Sequence, residues 1–213
     1  MNSNIQIIRY EECESSIWKN GGGSTKQLLI WPKGADLSNF DFRISIATIS
    51  SDGPFSLFHG IDRQLCILEG EGVRLKIKGN DLGQSEEIVL RPNDPPFCFS
   101  GETKIESMLL DKKVLDFNVM RRSTSYNAYI EKIDCNGKIT FSTFNEYKKT
   151  EGKNRLNTRK GKYQIIIFLS KRKVKVNNKK ININRYDSLL LKNNGENNII
   201  FGNNILKVIA NRA

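Results

Sequence analysis

The sequence predicts an all-β chain folded as two packed barrels or sandwiches, and three observations carry that expectation. Short runs of alternating or continuous apolar residues recur along the chain, and clusters of Gly, Pro, Asn and Asp separate them. A hairpin followed by a strand and a turn occurs once in each half. With 213 residues and 38% hydrophobic content, the chain has enough apolar material for a real core.

In order, the predicted strands of the first half are FDFRISIATI (40–49), QLCILEG (64–70), GVRLKIKG (72–79), SEEIVLRP (85–92) and KIESMLL (104–110). Those of the second half are KITFSTF (138–144), YQIIIFL (163–169), KRKVKVNN (171–178), KININ (180–184) and DSLLL (187–191). Turns are expected at SDGP from 51, EGEG from 69, PNDPP from 92, NGK from 136 and NNGENN from 193. Brief helices are expected only around 111–115 and 143–150. The repeat sets LEGEGVRLKIKG and EEIVLRPNDPPF against FLSKRKVKVNN and KKININRYDSLL, with Asp94 and Asp187 each four residues past an aliphatic, Leu90 and Ile183. That is the shape of a cupin hairpin, and two of them imply an N-terminal barrel over 1–123 and a divergent one over 124–213, with strands free to exchange between them.

Charge is uneven. The formal net charge of +11 arises from net −2 over 1–123 and net +13 over 124–213. Such asymmetry can mark a nucleic-acid face. In KRKVKV and KKININ, however, the lysines alternate with apolar residues, as on the solvated face of a strand, and Asn is as overrepresented there as Lys. Nucleic acid is therefore disfavoured as a partner. No apolar run approaches the roughly 20 residues of a membrane helix, and the opening MNSNIQIIRYEE has polar and acidic residues where a signal peptide would carry a basic region and an apolar stretch, so none is expected. A cytoplasmic protein without a membrane partner is expected. Cys13, Cys66, Cys98 and Cys135 show no CxxC pairing, which disfavours disulfide scaffolds and zinc ribbons. A single histidine, His59, excludes any centre that needs two imidazoles.

Four segments exceed what packing requires. WKNGGGSTKQL (18–28) places three glycines after Trp18, Lys19 and Asn20; successive N–H groups of such a loop can form an anion-binding concavity, with Lys19 adding charge. A glycine-rich turn with no ligand is the competing reading. In FDFRISIATI, period-2 alternation puts Phe42, Ile44 and Ile46 on one face and Arg43, Ser45 and Ala47 on the other, so Arg43 reaches solvent or a barrel lumen. In SDGPFSLFHGIDRQLCILEGEG, His59, Asp62 and Arg63 lie together on a loop entering a strand. LDFNVMRRS (115–123) surrounds Val119 and Met120 with Asp116, Asn118, Arg121 and Arg122.

On these segments, WKNGGGST, DFRISIATI with SDGPFSLFHGIDR, ILEGEG and DFNVMRR, the chain resembles the HutD/Ves family of cupin-like proteins, in the family's order from about residue 7 to 123. The resemblance implies a bicupin fold and a link to bacterial histidine utilisation, where the family is thought to bind a pathway intermediate and restrain the pathway rather than catalyse a step. It carries motif status to Trp18, Lys19, Asn20, Gly21, Gly22, Gly23, Arg43, Ser45, Phe55, Gly60, Asp62, Arg63, Glu69, Gly70, Asp116, Phe117, Asn118 and Met120. Ser24 and Phe42 depart from the residues common in the family, and His59 stands where histidine is unusual. Gly53 to His59 has a metal-cupin spacing, but the next ligand position is Ile61, so no metal and no other cofactor is expected.

A lumen holding Lys19, Arg43, Arg63 and the amides of Asn20 and Asn118 would favour a small anion, and Arg matches a carboxylate with its planar fork. The expected ligand-binding set is Trp18, Lys19, Asn20, Gly21, Gly22, Arg43, Ser45, Asp62, Arg63, Asn118 and Met120. Urocanate and formiminoglutamate are the ligands the resemblance suggests. Asp62 and Arg63 pairing with each other is the structural alternative for that pair. General acid–base candidates are His59, Glu69, Asp62, Asp116 and Lys19, none accompanied by a nucleophile or ligand set, so no catalytic residue is assigned. Three readings result: a metal-free regulatory binder, a cupin-type isomerase or hydrolase of a small anion, and a nucleic-acid binder using the basic C-terminal part. Sheet edges leave a homodimer open.

Overall fold

The computed structural model describes residues 5–78, 85–133, 138–141, 163–176, 179–192, 198–201 and 204–212. Among them the chain is strand and turn throughout, apart from one 3-10 turn at Tyr10–Glu12. No helix forms over 111–115: residues 111–113 make a bend and a strand begins at Val114, because apolar and polar side chains alternate from there. The other expected helix, 143–150, lies outside the described residues, as does Cys135.

Two units are formed, Cys13–Tyr126 and a second made of Met1–Glu12 with Asn127–Ala213. The opening residues thus differ from the expected division at 123/124. Their strand, β1 (Ile5–Ile8), pairs antiparallel with residues 188–191 rather than with the strands that follow it.

The Cys13–Tyr126 unit contains β2 (Ser15–Ile17), β3 (Gly23–Trp31), β4 (Phe42–Ile49), β5 (Gly53–Pro54) and β6 (Ile61–Glu69). It continues with β7 (Val73–Lys78), β8 (Ser85–Leu90), β9 (Phe97–Ser100), β10 (Ile105–Leu109) and β11 (Val114–Arg122). Six strands form one sheet in the order β2-β3-β4-β11-β6-β9, and four form another in the order β5-β10-β7-β8. The sheets are open rather than closed into rings. Ile49, Leu65, Ile67 and Val114 of the first pack against Val73, Leu75, Leu90 and Ile105 of the second. Each such side chain contributes about 1.5–3 kcal/mol when fully buried. This apolar end holds the sheets together and leaves the rest of the inner face free to carry polar groups.

The second unit adds β12 (Tyr126–Ile133), β13 (Lys138–Phe141), β14 (Tyr163–Phe168) and β15 (Arg172–Val176). It ends with β16 (Lys179–Ile183), β17 (Ser188–Lys192), β18 (Asn198–Phe201) and β19 (Ile205–Arg212). Its main sheet runs β1-β17-β14-β19-β12, and β15–β16 and β13–β18 are separate pairs. Val174, Val176 and Ile183 of the hairpin pack with Ile166, Phe168 and Leu189, whereas Lys173 and Lys175 face solvent, as their alternation predicts.

Asp187 is buried, accepts from the N–H groups of Tyr10 and Asn184, each at 3.0 Å, and pairs with Arg9 at 2.6 Å. Its counterpart in the repeat, Asp94, accepts from the N–H three residues earlier in the same way, from Arg91 at 2.7 Å.

Candidate functional site

Three strands bring the polar part of the inner face together. β11 lies between β4 and β6, with Met120 opposite Arg43 on one side and Arg63 on the other. The next inward row aligns Ser45, Asn118 and Leu65, and the row beyond it aligns Ala47, Asp116 and Ile67. Because side chains alternate across a strand, all of these share one face, and Phe42, Ile44, Phe117 and Val119 occupy the other. Two guanidinium groups therefore flank β11 at the outer end, and a carboxyl group lies deeper along the same strand.

Each arginine is held in place. Arg43 donates through Nε to Gln27 Oε1 at 3.0 Å and through Nη1 to Ser45 Oγ at 3.4 Å and Met120 Sδ at 3.6 Å. Arg63 donates through Nη1 to the Ser56 carbonyl at 3.4 Å and lies among the rings of Phe55, Phe58 and Phe99, 5.3, 5.8 and 4.9 Å from their centroids. Such ring contacts favour a cation in a water-poor site.

The cluster is buried and incompletely satisfied. Arg43 and Arg63 are each 8% exposed and Asp116 3%. Arg63 Nε, Asp116 Oδ1 and Asn118 Oδ1 are buried with no hydrogen-bond partner among the described residues. Among the described residues neither guanidinium forms an ion pair with Asp116. Burial pushes the Asp116 carboxyl up to about 7, against the pull of Arg63 and Arg43. Burial lowers the Arg63 guanidinium to about 10, with Asp116 opposing and Arg43 reinforcing the change. Arg43 is lowered by the same burial and supported by Asp116. Both arginines remain cationic at neutral pH, so the site has an excess of positive charge.

Of the expected set, Arg43, Ser45, Arg63, Asn118 and Met120 come together here. Asp62 does not: adjacent to Arg63 on β6, it points to the opposite face and pairs with Arg121 at 2.7 Å. That also overturns the Asp62–Arg63 pair.

The glycine loop is elsewhere as well. Gly23 pairs with Ile49, six residues along β4 from Arg43, which is roughly 20 Å of strand. Its polar groups are turned onto the loop itself. Gly21 N–H donates to the Trp18 carbonyl at 2.9 Å and Gly22 N–H to Asn20 Oδ1 at 3.0 Å, while Trp18 Nε1 donates to Thr25 Oγ1 at 2.8 Å. Gly21 adopts φ +70, and a Cβ at Gly23 would lie 2.2 Å from the Thr48 carbonyl oxygen, so the glycines serve a tight turn. Lys19 is exposed. His59 is exposed and lies 3.6 Å from Glu102.

Asp116, read from the sequence as a motif residue and acid–base candidate, belongs to the cluster although it was not in the expected ligand-binding set. The alternation Asp116, Asn118, Met120 was the available signal. Gln27, Ser56, Phe58 and Phe99 carried none, because only strand pairing and loop placement bring them to the arginines.

The chain is similar to several known proteins. The HutD family model matches residues 10–204. An uncharacterized 21.2 kDa protein from the hutC 3' region of Pseudomonas putida is 34% identical over 137 residues, 64% of this chain and 68% of that protein. Protein Ves of Escherichia fergusonii is 31% identical over 130 residues, 61% of this chain and 62% of that protein. The structure of HutD from Pseudomonas fluorescens SBW25, in a formate condition, is similar with a TM-score of 0.75 and 25% identity, covering 98% of this chain and 99% of that one. In fold alone the chain is also similar to the cupin-fold oxalate decarboxylase of Lactobacillus farciminis, with a TM-score of 0.63 and 9% identity over 99% of this chain and 86% of that one.

Proposed function

From a chain that belongs to the HutD family, we propose a regulatory protein that binds a small carboxylate between Arg43 and Arg63 and does not turn it over. The observation that carries this reading is the pair of buried guanidinium groups, tethered by neutral partners and, among the described residues, joined by no carboxylate. A carboxylate offers two acceptor oxygens to such donors. Each charge-assisted hydrogen bond contributes about 1.5–3 kcal/mol net. Two or three of them, less the cost of association, correspond to affinities on the order of millimolar to micromolar, in the range of a metabolite sensor.

The naming of the P. putida relative by its place beside hutC supports a link to histidine and urocanate catabolism. Urocanate and formiminoglutamate are the proposed ligands, the protein acts in the cytoplasm without a metal, and its two units are the two halves of a bicupin whose sheets stay open.

Calorimetric titration with urocanate, formiminoglutamate, histidine and formate tests the reading. Binding of at least one acid, lost in an Arg43→Ala, Arg63→Ala double variant, is the expected result. No binding up to several millimolar, or equal binding by the variant, overturns it. One observation favours a second reading, a cupin-type isomerase or hydrolase: burial brings the Asp116 carboxyl to about 7, where a general acid or base works. Product formation from the same panel distinguishes that reading.

A further inference from the structure

We propose that Asp116 selects the ligand: its carboxylate accepts a hydrogen bond from an N–H or O–H group of the molecule whose own carboxylate lies on Arg43 and Arg63. The site then prefers carboxylates that also bear such a donor over plain ones. This rests on the carboxylate-binding reading above and narrows it.

The other buried or bridging aspartates of this chain show what a structural counter-ion looks like here. Asp187 sits directly on Arg9 at 2.6 Å and takes two backbone N–H groups besides. Asp62 sits directly on Arg121 at 2.7 Å. Asp116, 3% exposed, does neither: among the described residues Oδ1 meets no donor, and no guanidinium reaches it as an ion pair. A buried acceptor left without a donor is costly, and a buried carboxylate without a direct partner more so.

Its neighbours are fixed so that the gap persists. Arg43 is held by Gln27, Ser45 and Met120, and Arg63 by Ser56 and three rings. Asn118, one row outward from Asp116, leaves a second oxygen, that of its amide, unmatched on the same face. Charge points the same way. With Asp116 ionised, two guanidinium groups and one carboxylate leave a single positive charge, which one ligand carboxylate neutralises. A ligand that presents a carboxylate outward along β11 and a donor inward therefore satisfies the arginines and Asp116 together. A plain acid satisfies only the arginines and leaves Asp116 as it is.

The test uses two acids of one shape, 3-(pyrrol-2-yl)acrylate, which carries an N–H, and 3-(2-furyl)acrylate, which has an ether oxygen there. Calorimetry on the wild-type chain is expected to show the pyrrole acid binding about tenfold or more tightly than the furan acid. In Asp116→Asn the preference is expected to vanish, with the furan acid bound as well as or better than by wild type. Equal wild-type affinities, or a preference that survives in Asp116→Asn, overturn the inference and leave the carboxylate reading standing; binding of neither acid overturns both.

Should Asp116→Asn fail to fold, wild type titrated in two buffers of different ionisation enthalpy decides the matter. Accepting the N–H favours ionised Asp116, so the pyrrole acid is expected to release protons relative to the furan acid. Identical proton counts for the two acids overturn the inference.

Discussion

Arg63 and Asp116 are both withdrawn from water and neither has the partner that water or a direct ion pair would supply. In Arg63 the three phenylalanine rings and one carbonyl make the cation tolerable. In Asp116 nothing plays that part, and the proton is held more tightly than in the unfolded chain. The charged groups acting on it are Arg63 on β6 and Arg43 on β4, both of which favour ionisation, and burial outweighs them. The linkage has a definite sign. Between the unfolded carboxyl value of 3.8 and the folded value of about 7, the native state binds more protons than the unfolded one. This group's contribution to stability is therefore fully present at low pH, falls as pH rises through that window and is flat above it. Urea denaturation from pH 4 to 8 should show that component in wild type and lose it in Asp116→Asn; an unchanged slope in the variant contradicts the assignment.

At the scale of elements, β11 organises the site because it pairs with β4 and β6 at once and offers Asp116, Asn118 and Met120 to the face they share. Alternation in residues 40–49 made the faces of β4 legible in the sequence, down to Arg43 and Ser45 together. The same rule, applied to Asp62 and Arg63, separates them once Ile61 is known to begin the strand rather than end a loop. What the sequence could not convey was register. Asp116 lies over 50 residues from Arg63, and only strand pairing brings it to the arginines. The glycine loop was misleading for a related reason: conformational need and ligand approach leave the same mark in a sequence, and here the turn between β2 and β3 accounts for it. In the second unit, Asp187 fastens β1 to β17 through Arg9 and the Tyr10 N–H. Asp187→Ala is expected to cost about 3 kcal/mol and to expose the Ile5–Ile8 amides to hydrogen exchange. A loss below about 1 kcal/mol with those amides still protected would count against that role.

Across the whole molecule, fold class was the most legible property, since the expected strands are strands wherever they fall on described residues, while the turns expected from 136 and from 193 lie outside those residues, and the similarity to HutD from P. fluorescens extends over 98% of the chain. The boundary between units was less so, because the opening strand belongs with the far end of the chain. The basic excess of residues 124–213 is borne in part by Lys173 and Lys175 on the exposed face of a hairpin whose other face is core. The candidate site lies instead in the unit whose sequence is close to neutral. The most direct measurement is a crystal structure of the protein grown with urocanate. The account predicts density for its carboxylate within hydrogen-bond distance of both Arg43 and Arg63, with the ring nitrogen toward Asp116. Density confined to another place on the molecule, with the two guanidinium groups and Asp116 untouched, would contradict it.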